Sequence, residues 1–197
     1  DANYAYDDLF YGYQRDGSAR SASVVIPRLL QALGVESVLD IGCGAGAWLR
    51  EYQRAGVDDV IGVDGDYVNR NLLLVDGACF SPRDITKSFS FGRTFGLVQC
   101  IEVAEHIPSA NSETLVRNIT SHGDIVLFSA AVPGQGGENH INEQSMEFWR
   151  ALFAADGFDP YDFVRPGIID NEMVEPWYRY NLLLYVLGQR DDRWRCL

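Results

Sequence analysis

The residues best suited to chemistry in this sequence fall in two places. Glu102, Glu105 and His106 lie within EVAEHIP, and His140 lies within AVPGQGGENHINEQ. If a helix begins at Glu102, positions i, i+3 and i+4 share one face. Two carboxylates and an imidazole on that face could hold a divalent metal, with His140 as a fourth ligand. Equally, Glu105 and His106 could cap and pack a helix start while Glu102 lines a ligand pocket, so the spacing alone assigns no metal. As a residue type, histidine suits a general base working near neutral pH, and His140 could fill that role, although a loop histidine is also often just a hydrogen-bonding residue. Around it, Gly136, Gly137, Glu138, Asn139, Asn142 and Glu143 make a more elaborate polar loop than a simple connection requires.

A second concentration of signal is SVLDIGCGAGAWL at residues 37–49. Val38, Leu39 and Ile41 read as a short buried strand. Gly42, Gly44 and Gly46 then form a tight turn, with Cys43 inside it, and Ala47, Trp48 and Leu49 open an amphipathic helix. Such a turn lets backbone N–H groups approach a ligand closely at the positive end of a helix. Asp40 directly precedes the first glycine. A G-x-G pattern is weakly specific by itself, because dinucleotide-binding folds use similar turns.

The intervening chain supplies elements to position both groups. Apolar spacing predicts a helix over 22–33 with Gly34 as its stop, and strands over 37–41, 59–64, 78–83, 94–101, 124–130, 159–165 and 180–187. Between them fall helices after the glycine turn, over about 109–119 and over 145–155. Residues 1–20 read as an aromatic N-terminal arm with a turn at Asp16-Gly17-Ser18. Residues 166–179 read as an insertion between the last two strands, and 66–75 as a short helix or irregular turn. This alternation predicts an α/β, doubly wound, mostly parallel sheet with ligands at the strand C-termini. Asp64 then lies at the end of the second strand, where a carboxylate can accept both hydroxyl hydrogens of a ribose or can cap the next helix.

Asp40, Gly42, Gly44 and Gly46 resemble, position for position, the first motif of the class I S-adenosylmethionine-dependent methyltransferases. The resemblance implies a seven-stranded Rossmann-like sheet with an antiparallel last strand, S-adenosyl-L-methionine as methyl donor, Asp64 as the ribose-binding acid, and Asp84 and Ile85 beside the adenine. Glu102 completes the pocket at the fourth strand end. With the acidic composition and an aromatic insertion (Trp177, Tyr178, Tyr180) able to wall a pocket, the expected activity is O-methylation of a small polar molecule such as a sugar or natural-product intermediate, with His140 as base. E-x-x-E-H is also similar to the metal site of small-RNA 2′-O-methyltransferases and of certain quinone-pathway O-methyltransferases. A metal-assisted RNA methyltransferase and a non-catalytic S-adenosylmethionine-binding partner are therefore the rival readings.

Bulk composition narrows these choices. With 197 residues and 47% hydrophobic content, the chain suits one domain with a full core. A net charge of -12, with Lys87 as the only lysine, argues against an extended phosphate-binding surface, so nucleic acid is not the expected partner. Cys43, Cys79, Cys100 and Cys196 form no C-x-x-C pair and fit reduced cysteines of a cytoplasmic protein. No apolar run is long enough to span a membrane.

Overall fold

The computed structural model describes residues 8–188, with side chains from residue 16 onward. Residues 1–7 of the expected arm, and Cys196, lie outside the described residues. The rest of the arm is helical, since α1 runs unbroken from Asp8 to Leu33 through the expected turn at Asp16-Gly17-Ser18. Tertiary contact overrides the turn chemistry here. A Cβ on Gly17 would come within 2.6 Å of the Glu175 carboxylate, so the glycine serves close packing, and Ser21 Oγ donates to the Gly17 carbonyl at 2.8 Å.

Seven strands follow: β1 (Ser37–Ile41), β2 (Asp59–Asp64), β3 (Phe80–Pro82), β4 (Leu97–Ile101), β5 (Ile125–Ser129), β6 (Phe158–Tyr161) and β7 (Leu183–Leu187). They are joined by α2 (Ala47–Arg54), α3 (Ser112–Thr120), α4 (Met146–Ala155) and α5 (Pro176–Asn181). The sheet order is β3-β2-β1-β4-β5-β7-β6, with β7 antiparallel to both neighbours. This matches the sheet expected from the sequence.

Several strands are shorter than their hydrophobic runs. β4 starts at Leu97 because the residues before it bond outside the ladder, Phe95 N–H to the His122 carbonyl and Gly96 N–H to the Ser37 side-chain oxygen at the start of β1. β6 ends early where Arg165 turns back onto Asp162, and β7 starts late because Pro176 at the first helical position launches α5, which runs to Asn181.

Alternating residues divide the core into two layers. Val38, Leu97, Leu127 and Leu184 face α1, α2 and the insertion, burying Val25, Ile26, Leu29, Trp48, Tyr52 and Tyr178. Leu39, Ile41, Val98, Val126, Phe128 and Tyr185 face α3 and α4, against Leu115, Ile119, Trp149 and Phe153. Both faces are covered, which accounts for the nearly continuous apolar strands. Among the described residues, no helix is long and apolar enough to cross a membrane.

The order of the sheet decides where a ligand can enter. After β1 the chain builds β2 and β3 to one side, then crosses back to place β4 and β5 on the other. The crevice at such a reversal lies beyond the C-terminal ends of β1 and β4. The glycine turn follows β1, and Glu102 follows β4.

Candidate active site

The turn after β1 is held in the conformation its glycines permit. Gly42, Gly44 and Gly46 have φ of 87°, 53° and 83°, in the left-handed region that disfavours a Cβ. Gly42 and Cys43 N–H both donate to the Val63 carbonyl, at 2.7 and 3.1 Å. Gly44 N–H donates to Asp64 Oδ2 at 2.7 Å, tying the turn to the end of β2. Asp64 Oδ1 accepts Gly65 N–H at 2.7 Å. The carboxylate is therefore bound to the turn and its own neighbour rather than capping a helix. Gly46 is the N-cap of α2, with no side chain bonding into that helix end.

Asp40 lies beneath the turn, buried and paired in register with Gln99 of β4. Burial pushes its carboxyl up to about 7, the Asp64 charge adds to this, and the Gln99 amide offsets only part of it. Asp84 is placed differently. Its exposed carboxylate accepts Thr86 N–H at 3.1 Å and pairs with Lys87 at 2.8 Å, which holds it down at about 2. This is the geometry of a loop acid closing its own turn.

Across the crevice, the helix start at Glu102 on which a shared face would depend is not formed. Glu102 has φ of 51°, a strained value for a residue with a Cβ, and only a short 3-10 turn at Ala104–His106 follows. Glu102, Glu105 and His106 thus do not share a helical face. The Glu102 carboxylate instead accepts from Gln135 Nε2 at 3.1 Å and from Asn181 Nδ2 at 3.2 Å, while Asn181 also donates to Gln135 Oε1 at 2.8 Å. These two amides come from the loop after β5 and from α5. Sequence spacing had no means of finding Asn181.

Glu105, His106 and His140 do converge. One potential ligand atom from each lies within 4.8 Å of the others, and the two imidazoles meet edge to face at 4.9 Å. Glu105 is fully buried, and neither of its carboxyl oxygens has a hydrogen-bond partner. Burial first, and then the Glu102 charge, push this carboxyl up to about 8. Burial and the neighbouring His140 lower the basicity of His106.

His140 is aimed by its loop. Asn139 adopts φ of 58° just before it, a conformation asparagine tolerates better than most residues. His140 Nδ1 lies 3.0 Å from Glu143 Oε1, and Glu143 also accepts Gly134 and Gly136 N–H at 2.8 and 2.9 Å. The His140 bond contributes most to holding Glu143 below the usual carboxylate range. In the tautomer that donates from Nδ1 to Glu143, Nε2 is left to accept a proton. Glu143 had stood out in the sequence only as a polar neighbour three residues beyond His140.

The methyltransferase-domain family matches residues 13–162. The chain belongs to that family. Its methyl donor is S-adenosyl-L-methionine, and its members share the class I Rossmann-like sheet found here. A ubiquinone biosynthesis O-methyltransferase from Bradyrhizobium diazoefficiens is 34% identical over 108 residues, which is 50% of this chain and 40% of that protein. The match to this methyltransferase-domain chain therefore spans less than half of that relative's length. The sugar N-methyltransferase of Streptoalloteichus superposes with a TM-score of 0.68 at 18% identity, covering 94% of this chain and 97% of its own. An amino pentose methyltransferase from Micromonospora echinaspora, whose structure holds S-adenosylmethionine, superposes at 0.66 with 16% identity, covering 95% and 99%. At such identities the likeness is one of fold.

The strand-end crevice of this methyltransferase domain suits its donor by its own geometry. A turn forced open by three left-handed glycines, an uncapped helix end and a buried carboxylate at the next strand end provide donors and acceptors for a charged nucleoside. The shallow depression of about 680 Å³ along Pro166, Gly167 and Met173 shares no lining residue with this crevice.

Proposed function

We propose that the protein transfers a methyl group from S-adenosyl-L-methionine to a hydroxyl of a small polar molecule, such as a sugar or natural-product intermediate. The observation that carries this reading is the meeting, at one sheet edge, of the glycine turn with its Asp64 clasp and the cluster of Glu105, His106 and His140. When bound, the donor supplies a methyl already activated on a sulfonium, so the protein's task is to hold, orient and deprotonate. Gly42, Cys43, Gly44 and Gly46 offer backbone to the donor, with Asp40 beneath them. Asp64 takes the ribose hydroxyls, Asp84 and Ile85 lie at the adenine end, and Glu102 borders the pocket. His140, oriented by Glu143, takes the proton from the acceptor hydroxyl.

Calorimetry with S-adenosylhomocysteine, followed by labelled-methyl transfer over sugars, phenols, amines and RNA, tests the whole reading. His140→Ala is expected to cut turnover at least about ten-fold while leaving cofactor affinity nearly unchanged. An unaffected rate would remove the base assignment, and methyl transfer to RNA alone would replace the substrate class.

A second reading is favoured by one observation, the unpartnered buried carboxyl of Glu105 close to two imidazoles. One carboxylate and two imidazoles suit a borderline divalent cation such as zinc or manganese. Glu105, His106 and His140 would hold it, and it would polarise the acceptor hydroxyl. Loss of activity in a chelator, restored by manganese, would support this reading over a metal-free base.

A further inference from the structure

Asp64 has a donor that the cofactor assignments do not use. After β2 the chain turns at Gly65, with Val68 N–H bonded to the Gly65 carbonyl at 3.2 Å, and Tyr67 folds back so that its phenol donates to Asp64 Oδ1. Gly65 admits the ring, since a Cβ at that position would collide with the Tyr67 ring carbons. The phenol thus reaches a carboxylate only 6% exposed from a side chain 77% exposed.

Counting lone pairs gives this contact its meaning. An ionised carboxylate offers about four acceptor sites. Gly44 and Gly65 N–H take two of them, one on each oxygen, and these bonds belong to the turn itself. Two sites are left, the number a vicinal diol needs, and Tyr67 takes one. Phenol and sugar hydroxyl are both O–H donors of similar reach, so they compete for the same position.

We propose that Tyr67 gates the ribose site, its phenol occupying the place on Asp64 that a ribose hydroxyl must take for a nucleoside ligand to bind. This rests on reading Asp64 as the ribose-binding acid. A ring this exposed swings into solvent without opening a cavity. The exchange trades one charge-assisted hydrogen bond for another and keeps the carboxylate partnered throughout. Adenine or methionine alone carries no diol and gains nothing from opening the gate.

The test is calorimetry on the wild type, Tyr67→Phe and Gly65→Ala. The ligands are S-adenosylhomocysteine, 5′-methylthioadenosine and the 2′,3′-dideoxy form of the latter. Tyr67→Phe removes the competing hydroxyl and keeps the ring, and should tighten both diol-bearing ligands at least about three-fold. Gly65→Ala, which expels the ring, should act in the same direction. The dideoxy ligand should bind wild type and Tyr67→Phe alike. Equal or weaker binding of the diol ligands by Tyr67→Phe, or the same gain for the dideoxy ligand, would overturn the gate while leaving the cofactor reading intact. Failure of the wild type to bind S-adenosylhomocysteine would overturn both.

Discussion

Asp64→Ala is expected to weaken S-adenosylhomocysteine binding at least about 100-fold, because two hydrogen bonds from ligand hydroxyls to an anion are lost together. The substitution also removes the acceptor for Gly44 N–H, so the turn loses one of the three bonds that tie it to β2. Calorimetry measures the first effect and thermal melting the second. Asp84→Ala is the internal comparison, since the Asp84 carboxylate is already engaged by Thr86 and Lys87 and is expected to cost far less. Equal losses for the two variants, or full affinity in Asp64→Ala, would move the ribose contact elsewhere.

The second large effect is on stability against pH. Glu105 is raised from the ordinary 4.5 to about 8 by burial and the Glu102 charge, so between those values the folded protein keeps a proton that the unfolded chain has lost. The unfolded state binds fewer protons in that window, and stability must fall as pH rises through it. This contribution is fully present below pH 4.5 and is lost by about pH 8. Asp40, raised from 3.8 to about 7, adds a slope of the same sign. Glu105→Gln removes the ionisation and should flatten the pH dependence of the urea midpoint, with little change at the acid end and a gain of a few kcal/mol at the alkaline end. A wild-type midpoint that rises from pH 5 to 8 would contradict this. Manganese or zinc bound by the Glu105 cluster would stabilise the native state and oppose the slope in wild type, but not in Glu105→Gln. A wild-type melting temperature indifferent to both metals would sink the metal reading alone.

The readable parts of this protein are those built from neighbours in sequence. The strand, glycine turn and helix around Gly42 form one local unit, and Asp64 sits at a strand end that right-handed crossover places on the same edge. Both are legible in the sequence. The shared face of Glu102, Glu105 and His106 depended on a helix beginning at Glu102, whereas a left-handed residue there follows β4. That conformation is maintained by distant partners, Ser129 on β5 and Asn181 on α5. The turn signal at Gly17 failed for the same reason, since Glu175, far along the chain, packs close to Gly17 and pairs with Arg20 of the same helix. Tyr67 escaped notice because an exposed tyrosine in a turn looks ordinary until its hydroxyl is traced to Asp64.

The long reach of α5 bears on how the protein is made. Glu175 pairs with Arg20, Tyr178 bonds to Ser18 and packs on Trp48, and Asn181 completes the hold on Glu102. Each of these contacts joins the last part of the described chain to something synthesised much earlier. Closing such loops is slow relative to local helix formation. On the ribosome, the donor turn can form as soon as β1, α2 and β2 have emerged, but the far wall of the pocket must wait until residue 181 has left the exit tunnel.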